Sequence, residues 1–186
     1  MEQVDIIELD IIPGFEMTKD KRQELYGQVA GGSGSMKPEK YQREIIEKIT
    51  NNKCNKTKKR LNIRTNEIVE ISRPNTQLDG FDYTEDFDGE QIINDIPYYY
   101  NLKSIVGQGG SQTRSLREVY HFIEQQLNYL VKNKNVRFIN ILDGDEAHKH
   151  MPKFINYLSC LSEYTDVKNN VYIGDLRGFV RWFYQS

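Results

Sequence analysis

Asp88 and Lys103 stand 15 positions apart, separated by GEQIINDIPYYYNL. That interval holds a strand, a turn returning from Asp95 and a second strand, so the carboxylate and the ammonium can face the same side of a sheet. Lys103 ends an apolar run, where burying an ammonium costs free energy. Either it is a surface lysine snorkelling from a strand end, or its charge serves chemistry. An acid and a cation so placed suit phosphodiester cleavage. Carboxylates hold a divalent metal that stabilises charge and activates water, and a nearby cation stabilises the phosphate or the attacking water. Asp86 is a rival ligand because strand register is not readable here. Asp88, standing before Gly89, also fits a simple turn.

The elements that must carry these residues follow from periodicity. VDIIELDII, residues 4–12, reads as a strand closed by Pro13-Gly14. TKDKRQELYGQVA reads as a helix capped by Thr18. Tyr41, Ile45, Ile46 and Ile49 recur at helical spacing in the next segment. KCNKTKKRLNIR is a basic run in which Lys58, Lys59 and Arg60 either grip a phosphate backbone or form a solvated loop. EIVEIS and QLDGFDYTEDFDG suggest strands, and EQIIND with IPYYYNLKSIV a hairpin. The strongest helix follows, with Leu116, Val119, Ile123, Leu127 and Leu130 as its apolar stripe and Ser111 or Thr113 as a cap. A strand (VRFINIL), a helix (MPKFINYLSCLSEY), a strand (NVYIG) and a last helix complete the order. The expected class is α/β, a mixed sheet with helices on its faces. The loop GQGGSQTR could bind phosphate through backbone amides, and Gln112 and Arg114 could bind phosphate or read bases; it also fits a plain strand-to-helix turn.

FDG followed by YYYNLK resembles the acid-then-(D/E)xK core of the PD-(D/E)xK, or restriction endonuclease-like, superfamily. The resemblance covers about residues 40 to 145, and the string NLKSIVGQGGSQTRSLREVYHFI looks like that of type II restriction enzymes. One position departs from the pattern. Asn101 replaces the acid two residues before the lysine, and an amide is a poor metal ligand. Some enzymes of this superfamily carry Ser-x-Lys there and draw the missing glutamate from the following helix. Glu118, 15 positions after Lys103, stands in a similar place. The resemblance therefore implies Asp88 and Glu118 as metal carboxylates, Lys103 as the catalytic lysine and Asn101 as the substituted position. It implies Mg²⁺ as cofactor, double-stranded DNA as partner, with Arg117 beside Gln112, Arg114 and the basic run on the DNA, and leaves a homodimer open. Glu118 read without the resemblance is an exposed helix glutamate.

The expected function is thus a divalent-metal-dependent, site-specific DNA endonuclease. The alternative is a non-catalytic nuclease-fold module that binds DNA or protein. A third reading is a metal-dependent hydrolase at Asp143, Asp145, Glu146, His148 and His150, a dense acid and histidine run that also fits a solvated loop. Glu44 or Glu24 could add a distant acid.

Composition bounds these readings. The net charge of −2 makes a generic nucleic-acid coat a poor fit, while local charge at a cleft still decides nuclease function. No apolar run nears the roughly 18 residues of a membrane span, and no signal-peptide pattern opens the chain. Cys54 and Cys160 match no zinc spacing and are expected as free thiols in the cytoplasm. GGSGS at residues 31–35, followed by Met36, has the composition of a flexible linker. The expected organisation is a fused, permuted or rejoined segment at 1–30, an engineered linker at 31–35 and a nuclease-like domain at 36–186. A natural Gly/Ser loop is the alternative.

Overall fold

The central hairpin follows from its turn. Asn94 and Asp95 both take positive φ, 53° and 67°, as a two-residue turn matched to strand twist requires. They join β4 (Gly89–Ile93) to β5 (Ile96–Ser104), paired from Gly89↔Tyr100 to Ile93↔Ile96. The computed structural model describes residue 8 and residues 10–26, 36–70, 84–107 and 110–185. Within these the earlier strands are β1 (Lys59–Asn62), β2 (Glu67–Glu70) and β3 (Thr84–Asp86), and the later ones β6 (Arg137–Asp143) and β7 (Val171–Gly174). The helices are α1 (Lys19–Tyr26), α2 (Met36–Thr50), α3 (Gly110–Lys132), α4 (Asp145–Cys160) and α5 (Leu176–Gln185).

The main sheet runs β4-β5-β6-β7, with β4 antiparallel and β5, β6 and β7 parallel. This is the expected mixed α/β sheet flanked by helices. Alternation along β5 sorts its side chains. Tyr99 packs with Phe138, Leu142 and the helices α3 and α4, while Tyr98, Tyr100 and Leu102 pack with Ile46 and Ile49 of α2 and Phe179 of α5. All five stripe residues of α3 are buried, each contributing about 1.5–3 kcal/mol over an exposed position. A second, antiparallel sheet, β2-β1-β3, stands beside the hairpin and is joined to it by the Asn55↔Glu90 bridge and by the Phe87 amide donating to the Lys59 carbonyl.

Four expectations change. The basic run contains strand β1, whose Leu61 is fully buried while Lys59 and Arg60 are half-buried. Glu8 is helical and residues 10–12 are turn and coil rather than strand; Ile11 is buried among residues of α2 and α5. The third helix begins at Gly110, so Thr113 lies inside it and is no cap. Residues 145–150 form the start of α4 rather than a loop. Thr18 does cap α1, its Oγ1 accepting the Lys21 amide at 3.1 Å. Residues 31–35 and all of QLDGFDY lie outside the described residues.

The described residues ahead of the Gly/Ser stretch pack on the core. The Gly14 amide donates to Asp175 Oδ2 at 2.7 Å, the Asp145 amide to the Met17 carbonyl at 2.9 Å, and Arg177 Nε to the Ile11 carbonyl at 3.0 Å. Gly144 is required where β6 passes into α4. Its φ is +116°, and a Cβ there would meet the Ile105 carbonyl at 2.0 Å. No helix among the described residues is long and apolar enough to cross a membrane.

Candidate active site

Antiparallel pairing of β4 with β5 sets Asp88, the residue before β4, opposite Asn101. Its amide donates to the Tyr100 carbonyl, and its Oδ2 accepts the Leu102 amide, both at 2.8 Å. Asp88 Oδ1 has no hydrogen-bond partner among the described residues. Burial raises the Asp88 carboxyl to about 6; the Leu102 amide opposes the rise, Glu39 adds to it, Lys103 opposes it and Asp86 adds. Asp88, Asn101, Lys103 and Glu118 line one cleft of about 360 Å³, walled by β3, the hairpin and the first turns of α3. The expected catalytic constellation is therefore brought together, with Lys103 half-buried and Glu118 exposed on the cleft side of α3.

Asn101 shares the cleft but is committed elsewhere. It is 2% exposed. Its Nδ2 donates to Asn140 Oδ1 at 3.2 Å, and Asn140 exchanges two 2.9 Å bonds with Gln126 and donates to the Tyr172 carbonyl at 3.2 Å. This neutral network joins β5, β6, β7 and α3. Asp86 also borders the cleft, but its side chain is 58% exposed and bound by Arg60 at 2.5 Å.

A second cleft, of about 260 Å³, meets the first at Asp86 and Asp88. Lys56, Lys58, Lys59, Arg60 and Arg43 line it together with Glu39. Lys59 is paired with Glu90 at 2.9 Å and lies 5.6 Å from the centre of the Tyr99 ring, and Glu90 raises its pKa. Arg43 Nη1 holds the Asp88 carbonyl at 3.0 Å. Arg114 and Arg117 are exposed on the first turns of α3, whereas Gln112 donates to the Val106 carbonyl at 3.3 Å.

The sequence reading passed over Glu39, Gln42 and Arg43. Gln42 is buried and donates to the Lys103 carbonyl at 3.0 Å. The signal was present in α2, since positions 42, 46 and 49 share the core face and a glutamine in that stripe needs a polar partner. Nothing in sequence distinguishes Glu39 or Arg43 from a solvated residue. Glu44 and Glu24 line neither of the two clefts.

The run at Asp143–His150 disperses in space. Asp143 is buried at the end of β6, where burial and then Asp175 push it up to about 7 against the Leu176 amide and the Gln42 side chain. Asp145 Oδ1 accepts the amides of Gly107 and Glu146. Glu146 pairs with Lys149 and His150, and His148 packs on Phe15. Cys54 is buried and Cys160 exposed, both unpaired.

Among the described residues no three His, Cys, Asp or Glu side chains group closely enough to hold a metal. Asp88 and Glu118 nevertheless offer carboxylate oxygens to one cleft, the donor type that suits a hard cation such as Mg²⁺, which often takes one or two protein carboxylates and completes its shell with water and phosphate. No protein-family model, curated protein or solved structure matches this chain.

Proposed function

We propose that this protein is a divalent-metal-dependent DNA endonuclease of the restriction type, with a PD-(D/E)xK-like core in which Asn stands where the second acid is usual. The observation that carries this reading is the convergence of Asp88, Lys103 and Glu118, from a hairpin and the helix after it, on one cleft beside a cation-lined one. Asp88 and Glu118 are the residues that would hold Mg²⁺, which when bound supplies charge stabilisation at the phosphate and a more acidic water. Lys103 places an ammonium at the same cleft to offset charge on the phosphate. Leu102 and Arg43 fix Asp88 from two sides, through its carboxylate and its carbonyl. Lys56, Lys58 and Arg60 provide the positive wall along which a phosphate backbone would lie. The reaction is hydrolysis: water adds to phosphorus, one P–O bond breaks, and the leaving oxygen is protonated.

Asn101 favours a second reading, a nuclease-fold module that grips DNA without cutting, because its amide is spent in a buried network and no acid replaces it on β5. Plasmid DNA incubated with the protein and Mg²⁺ separates the two. The nuclease nicks or linearises it, chelator stops the reaction, and Lys103→Ala stops it while DNA binding persists. Binding by the parent protein without nicking at any Mg²⁺ concentration selects the module.

A further inference from the structure

A third cleft, of about 240 Å³, lies past the end of β5. Lys19 and Arg22 of α1 form one wall, Ser104 to Val106 the floor, and Gln112 and Ser115 of α3 the other wall. None of its lining residues is acidic. Arg22 Nη1 reaches the Ser104 carbonyl at 3.4 Å, and the Lys19 stem passes over Gly107, where a Cβ would meet its Cδ at 3.8 Å. Among the described residues neither cation forms an ion pair. The nearby Asp145 carboxylate is turned to the Gly107 and Glu146 amides at 3.0 and 2.9 Å. Two cations of fixed approach and no acid in the lining make an electropositive pocket whose natural occupant is an oxyanion.

Its position says which oxyanion. Ser104 follows Lys103 directly, so the lining of this cleft begins where that of the candidate active site ends. Phosphates along one DNA strand rise only about 3.4 Å per nucleotide, so a strand crossing Lys103 carries neighbouring phosphates past the end of β5. We propose that Lys19 and Arg22 form a phosphate subsite for the same DNA strand that crosses Asp88 and Lys103, which makes the segment before the Gly/Ser stretch part of the substrate surface. The proposal rests on the nuclease reading for its partner, and on the cleft alone for its chemistry.

The test is DNA binding by fluorescence anisotropy across a salt series, without added metal so that nothing is cut. Each phosphate contact contributes about 0.9 to the slope of log affinity against log salt. Lys19→Glu, an exposed change on α1, should make the slope shallower by about 0.9 or more, and Arg22→Gln should do the same. Lys19→Arg should retain the parent slope, and Lys153→Glu, an equal charge change on an exposed position of α4, should leave it near the parent value. Melting curves confirm that each variant is folded. If the parent binds DNA and Lys19→Glu and Arg22→Gln bind with its affinity and slope, or if Lys153→Glu loses as much as Lys19→Glu, the subsite is overturned and the nuclease reading stands. If the parent binds no DNA, the nuclease reading falls, and the DNA assignment of the cleft with it. In that event inorganic phosphate that raises the melting temperature of the parent, but not of Lys19→Glu, identifies a free phosphate as the occupant.

Discussion

Replacing Asp143 with asparagine should stabilise this protein at alkaline pH. Asp143 is 3% exposed at the end of β6, faced by Asp175, Gln42, Tyr41 and the Leu176 amide. Its carboxyl titrates at about 7 in the fold, against about 3.9 for an aspartate in an unfolded chain. Between those values the native state holds a proton that the unfolded state has lost, so stability falls as pH rises. Three units at about 1.36 kcal/mol each give roughly 4 kcal/mol of destabilisation by this group once pH exceeds 7. Asparagine keeps an acceptor for the Leu176 amide and carries no charge to bury. For a chain of this size 1 kcal/mol moves the melting temperature by about 2–4 °C. Asp143→Asn should therefore melt several degrees above the parent at about pH 8, with the gap closing by about pH 4–5. Calorimetry at both pH values reads it. A gap of the same size at both, or a variant less stable than the parent at the higher pH, would refute the claim that a buried charge at Asp143 burdens the fold.

Asn101→Asp should cost about 1–3 kcal/mol in urea denaturation, because it removes the donor to Asn140 Oδ1 from a buried network; the loss should deepen as pH rises, and an unchanged midpoint would show that the network is not holding Asn101. Lys103→Ala and Glu118→Gln should each lower Mg²⁺-dependent nicking by about 10²–10³-fold, with DNA affinity for the lysine variant within a few-fold of the parent; near-parent nicking by Glu118→Gln would leave Glu39 as the next carboxylate to test. At subsaturating Mg²⁺ the nicking rate should fall as pH drops through about 6, as a proton competes with the metal for the Asp88 carboxylate. Glu39→Gln, which removes a like charge, should move that limb to lower pH, and a limb that stays in place would show that Asp88 does not set it.

The hairpin was legible because two β-rich runs, EQII and IPYYYNLKSIV, lie on either side of a return at Asp95. The shared cleft of Asp88 and Lys103 followed from it, since antiparallel register turns a sequence interval into proximity. β1 was hidden because Leu61 is its one fully buried apolar side chain among cations, and its strand character comes from β2 and β3 on either side. Residues 8 and 10–12 misled for the opposite reason. Their segment has a β-branched composition that suits a strand, but Glu8 is helical and Ile11 is buried against α2 and α5 from turn and coil. The role of Asn101 could not be read at all. Whether an amide near a catalytic motif orients water or braces a core depends on Asn140 and Gln126, which are 39 and 25 positions away.

The clasp between the ends of the fold has a consequence for synthesis. Gly14 finds Asp175 across 161 positions, Ile11 finds Arg177 across 166, and Glu8 meets Arg181. A ribosome adding about 5–20 residues per second needs on the order of ten to thirty seconds to make the second half of each pair. Throughout that interval Ile11, buried in the finished fold, has only the α2 side of its cover and not that of α5. The hairpin bearing Asp88 and Lys103 can close from neighbouring residues long before, while Glu8, Ile11 and Gly14 wait for residues 175–181. A chain stalled before residue 175 would thus carry a formed hairpin and a leading segment without its clasp, held only by contacts such as Arg22 to the Ser104 carbonyl.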